Sequence, residues 1–186
     1  MKQALGIALV AMALAGPVAT AQQQPRDTGA DAATFDTAPW REQEAKLPPY
    51  PKDERLIRFD TGPTSALRFF IDRDSLSVGE DLVRFTLVAK SDGATNVSYE
   101  GIRCSMRERK VYAYGRPDGT WREARDSQWL RIGPPVTDLH RFVLWSDYFC
   151  PKRAPIRSAN EGLDALKLGR HPEAADSALP DYPLAR

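Results

Sequence analysis

The residues able to do chemistry in this chain are few and widely spaced. Its two cysteines, Cys104 and Cys150, are an even pair, which in an exported protein reads as a structural disulfide rather than a thiol nucleophile. Its two histidines, His140 and His171, have no Cys, Asp or Glu at a metal-ligand spacing that would close a site, so no metal or other cofactor is expected. Glu100 is the most interesting carboxylate. On a strand it shares one face with Ser98 and Ile102, and the neighbouring Gly101 allows another backbone or a ligand to approach closely. Such a group either pairs with an arginine of the adjacent strand or binds a ligand. Placed beside His140, which the sequence puts in an exposed first helical turn, it would supply the acid and base of a hydrolase or transferase.

The second constellation is basic and aromatic. Arg103 to Arg131 holds eight Lys or Arg against four Asp or Glu, with Tyr112, Tyr114, Trp121 and Trp129 interleaved. Arg107 and Arg109 share one strand face by the two-residue period. A surface built from Arg107, Arg109, Tyr112, Tyr114 and Glu100 suits an anionic partner, because guanidinium groups beside aromatic rings combine charge with apolar contact. On this reading Arg107 and Arg109 are exposed, and reversing their charge leaves folding intact. No phosphate loop, nucleophile elbow or zinc-helix motif accompanies them.

These side chains need strands to carry them, and the middle of the chain is patterned with a period of two. Leu56–Phe59, Leu67–Asp72, Leu82–Lys90, Thr95–Ser105, Arg107–Gly115, a return from Trp121, and Trp129–Ile132 read as strands. Asp74, Ser75, Gly79 and Glu80 supply one turn, Ser91-Asp92-Gly93 another, and Pro117-Asp118-Gly119-Thr120 a hairpin turn. The period then lengthens. Leu139, Phe142, Val143, Ser146, Phe149 and Cys150 form one helical stripe, with Thr137 as cap and Pro151 as stop. Cys150 at its last turn would pin the helix to the strand bearing Cys104. Ser158 to Glu161 reads as a capping box opening a second short helix that ends before Gly169. Pro39–Leu47 reads as a short helix ended by Pro48, Pro49 and Pro51.

The two ends set an expectation for where the protein resides. Lys2 is the only charge before a 12-residue apolar run, Ala4–Ala15, and Ala19-Thr20-Ala21 supplies a small-x-small site. That run is too short for the roughly 20 residues of a membrane span and fits a cleavable signal peptide over residues 1–21. Cleavage removes one lysine and no acid, which brings the formal charge from +1 to zero and leaves no field to steer nucleic acid. Residues 22–38, poor in large apolar side chains, read as a disordered leader, and 170–186 as a mobile tail. Between them, residues 39–169 form one expected domain, a monomer without a membrane span.

The segments FFIDRDSLSVGEDLVRFTLV, NVSYEGIRC, RERKVYAYGRPDGTW, SQW and DYFCP resemble the cryptic neisserial protein-like family of exported bacterial proteins over roughly Trp40 to Pro151. A looser similarity reaches the surface-adhesin E-like proteins. The resemblance implies a bacterial envelope protein and brings no catalytic residues with it. The expectation is therefore an α+β domain, with an antiparallel sheet of five to seven strands, one amphipathic helix on one face and one disulfide. Its expected place is the periplasm, as a binding or structural module for an anionic envelope component or another envelope protein.

Overall fold

A computed structural model describes residues 40–62 and 66–174. The expectations for residues 1–21, residues 22–38 and most of the C-terminal tail lie outside the described residues. Seven strands form one antiparallel sheet: β1 (Leu56–Phe59), β2 (Arg68–Val78), β3 (Leu82–Lys90), β4 (Thr95–Arg103), β5 (Glu108–Gly115), β6 (Trp121–Glu123) and β7 (Leu130–Arg131). The first six pair in sequence order, and β7 pairs with β5 beyond the end of β6. Sequential order follows from short connections. Ser91 and Ala94 close the β3–β4 turn through a 2.9 Å backbone bond, and Arg116 and Thr120 close the β5–β6 turn at 2.8 Å. In the latter, Gly119 takes φ 79° and Asp118 accepts the Thr120 amide proton.

β2 runs through the turn expected at Asp74 and Ser75. The pairing with β3 slips between Asp72 and Ser77, and the Ser75 hydroxyl bridges the slip. It donates to the Asp72 carbonyl at 2.8 Å and accepts the Thr86 amide proton at 2.7 Å. A serine side chain thus satisfies backbone groups that the bulge would otherwise leave unpaired.

The sheet has two unlike faces. Val83, Phe85 and Leu87 of β3 join Phe69, Ile71 and Ile102 in the main core, and two helices cover that side. The first, α1 (Pro135–Val143), is followed directly by a π-helical turn, Leu144–Phe149. Its start differs from expectation: Pro135 occupies the first turn, and the Thr137 hydroxyl donates back to the Pro134 carbonyl from inside the helix. The wide turn adds residues per revolution, so Leu144 and Tyr148 are buried beside Phe149 and Cys150, while Phe142 and Val143 pack at the margin. The second helix, α2 (Ala159–Leu168), also packs here through Leu163, Ala165 and Leu166, so the face carries two helices rather than one. Its capping is as read: Ser158 accepts the Glu161 amide proton at 3.2 Å, and Gly169 ends it at φ 81°. Cys104 and Cys150 form the disulfide, with Cα atoms 5.3 Å apart and both residues buried.

The opposite face holds a small cluster of Tyr99, Tyr112 and Ala113. Where a short helix is expected, residues 42–50 instead run as a strap without regular secondary structure. The reason lies in side-chain contacts. Glu42, Gln43, Pro48 and Tyr50 are each engaged by groups on the sheet, and a helix would turn half of them away. Among the described residues, no helix is long and apolar enough to cross a membrane.

Candidate functional site

Glu100 is fully buried on the helix-covered face, and its partner comes from α1 rather than from a neighbouring strand. Arg141 grips it with two bonds, Nε to Oε2 at 2.6 Å and Nη2 to Oε1 at 2.7 Å, while Ser98 donates to Oε1 at 2.6 Å. Burial pushes this carboxyl up, but the hydrogen bonds and charge of Arg141, with Ser98, outweigh it and hold the group below the ordinary carboxylate range. Glu100 is therefore kept ionised and saturated. Arg141 also donates to Asp138 at 2.9 Å, and Asp138 faces Arg109 at 3.5 Å.

His140 is half-buried rather than exposed. Its ring stacks on Phe69 with centroids 4.6 Å apart, and its nearest carboxylate is Asp138, at 4.0 Å from Nε2. Burial and then the charge of Arg141 lower its basicity, against the opposing pull of Glu100 and Asp138.

Arg107 and Arg109 both serve the helix side. Arg107 lies over the rings of Phe142 and Trp145, about 5 Å from each centroid, and donates to the Gly133 carbonyl at 3.0 Å. With Arg109 against Asp138, neither arginine is the exposed charge expected from the strand period, and reversing them would disturb packing.

Tyr112 faces the strap. A Cβ at Gly101 would lie 2.8 Å from the Tyr112 hydroxyl, so the close approach that Gly101 permits is made by this tyrosine. The hydroxyl donates to Glu42 at 2.6 Å and accepts from Arg84 at 3.2 Å. Lys110 Nζ reaches the same Glu42 at 2.8 Å and Trp129 Nε1 at 3.0 Å. Burial raises and these bonds lower the Glu42 carboxyl, with a net fall. For Tyr112, burial and then the Glu42 bond push the phenol well above its ordinary value.

Tyr114 remains exposed. It pairs across the strands with Arg122, and the two line an open cleft of about 270 Å³ with Ala124, Arg125 and Asp126. Among the described residues neither Arg122 nor Arg125 has an ion-pair partner. Both lie in the arginine-rich stretch, but only the β5–β6 pairing sets Arg122 beside Tyr114, and only the fold brings Arg125 to the same cleft. Arg141, Glu42 and Arg84 carried no local sign of their roles, because their partners Glu100 and Tyr112 lie far off in sequence, and Asp138, though three residues from Arg141, showed nothing of its contact with Arg109.

These features define a small α+β module of the bridged, single-sheet kind, with a saturated ion pair on one face and basic aromatic groups on the other and at the β5–β6 edge. The chain belongs to the CNP1-like family, whose model matches residues 35–167. That match extends past Pro151 to take in nearly all of α2, and the family description carries no biochemical activity. No curated protein and no solved structure matches the chain significantly.

Proposed function

We propose that the protein is an exported, non-enzymatic binding module of the bacterial envelope that recognises an anionic component through the cleft of Tyr114, Arg122 and Arg125. One observation carries this reading: two arginines without ion-pair partners among the described residues flank an exposed tyrosine in an open cleft. Unpaired arginines beside an aromatic ring favour phosphate, sulfate or carboxylate groups, which they can hold in bidentate fashion. Export is supported by the apolar run and small-x-small site of residues 1–21, and by a buried disulfide of the kind that persists in oxidising compartments. The hydrolase or transferase reading has less support, since Glu100 has both oxygens committed to Arg141.

Two measurements test the proposal. Protein recovered from the periplasmic fraction should begin at Gln22; a full-length chain in the inner membrane would remove the export arm. Co-sedimentation with envelope fragments at low salt should fall several-fold in the Arg122→Ala, Arg125→Ala double variant, and salt should weaken it less. Stability should move by about 0.5 kcal/mol or less, as for other exposed sites. Unchanged sedimentation of that variant would leave the cleft without a binding role.

A further inference from the structure

The Glu42 carboxylate receives more than a packing contact needs. Four side chains from three places in the fold converge on it: Arg84 of β3, Lys110 and Tyr112 of β5, and Trp129 before β7. Two of these are cations, and among the described residues Glu42 is the only acid within 4 Å of either. The face therefore keeps a surplus positive charge when Glu42 is in place. Below it lies an aromatic floor, with Tyr99 and Tyr112 centroids 5.4 Å apart and Trp121 6.4 Å from Tyr99.

The strap that delivers Glu42 is lightly held. No residue from Glu42 to Tyr50 is buried, and among the described residues no backbone–backbone hydrogen bond ties this stretch to the sheet. The contacts are those of a bound peptide. Arg84 donates to the Gln43 carbonyl, Trp121 Nε1 donates to the Pro48 carbonyl at 2.8 Å, and the Tyr50 ring packs at a tilt against Trp121, centroids 5.4 Å apart, while its hydroxyl donates to the Arg116 carbonyl. Donors that read a carboxylate, two carbonyls and a proline-aromatic end are those that recognise an extended, proline-bearing peptide.

We propose that residues 42–50 are a built-in occupant of a recognition groove, and that the groove's ligand is an extended acidic, proline-containing segment of a partner protein which displaces the strap. The carboxylate of that segment takes the Glu42 position between Arg84, Lys110, Tyr112 and Trp129, and its chain follows the strap toward Trp121. This groove is separate from the cleft of Tyr114, Arg122 and Arg125, and it stands or falls independently of that reading. Because the strap competes intramolecularly, at an effective concentration on the order of mM, the intact protein binds such a segment weakly.

The probe is a fluorescein-labelled peptide of residues 42–51, EQEAKLPPYP, titrated into the full mature chain. Removing the resident carboxylate in Glu42→Ala should tighten its binding by about tenfold or more over wild type. Adding Lys110→Met to that variant should abolish the gain, and the peptide with its leading Glu changed to Gln should bind no better to Glu42→Ala than to wild type. If Glu42→Ala fails to fold, Glu42→Gln keeps the side-chain shape and is read in the same way. Equal affinity of wild type and variant, no binding to either, or a gain indifferent to Lys110→Met would overturn the proposal.

Discussion

The two faces of the sheet hold a buried charge in opposite ways. On the helix side, Glu100 is fully buried, and its charge is matched by Arg141 of α1. On the strap side, Glu42 is only partly covered, faces two cations, and is delivered by a segment with no buried residue. A fully buried pair is costly to separate, whereas a carboxylate that keeps 20 % of its side chain exposed can exchange its partners for water more readily. The fold thus keeps its stability on one side and leaves its exchangeable contacts on the other.

The largest test of that division removes one charge from each face. Arg141→Met leaves Glu100 buried without its cation and should cost about 3–5 kcal/mol in urea unfolding, most of it regained when Glu100→Gln is added. Glu42→Gln removes the corresponding charge from the strap and should cost about 1–2 kcal/mol. Equal losses at the two sites would break the contrast.

A smaller effect sharpens it through pH. His140 has a lowered basicity in the fold, so its contribution is complete above the unfolded value of about 6.5 and is lost as pH falls below it. Glu100 and Glu42, also lowered, act in the same direction but only below the unfolded value of about 4.3. Asp72, raised by burial, acts oppositely, since its contribution is lost as pH rises through its folded value. Thermal melts should therefore decline on acidification first with His140, and His140→Phe, which can keep the stacking on Phe69, should flatten the decline that sets in below about pH 6.5. An unaltered profile would detach His140 from it.

The sheet was legible because alternation is a local signal. β1, β3 and the start of β4 fall where the period of two places them, and the disulfide is the pairing that an even count of two cysteines suggests. The misreadings share a cause. Pro39–Leu47 has helical spacing, but the partners that extend it, Lys110, Tyr112 and Trp129, lie far along the chain. The stripe ending at Cys150 assumed one α-helical period, and the π-helical turn changes that period midway. Glu100 was visible as an unusual strand residue, but nothing in its neighbourhood pointed to Arg141, 41 residues away. Arg107 and Arg109 were legible as a pair on one face, yet the period cannot say which face a helix will cover.

The disulfide also fixes how the molecule carries tension. Cys104 and Cys150 are 46 positions apart in sequence, so a pull on the chain ends passes from the end of β4 straight to the turn before α2. The enclosed stretch, roughly 160 Å if drawn out straight, stays slack under load. It contains β5, β6, β7 and α1, and with them Lys110, Tyr112, Trp129, Arg122 and Arg125. In a single-molecule pulling experiment the oxidised protein would lengthen by that much less than the reduced one, and its basic aromatic strands would bear no force along the chain.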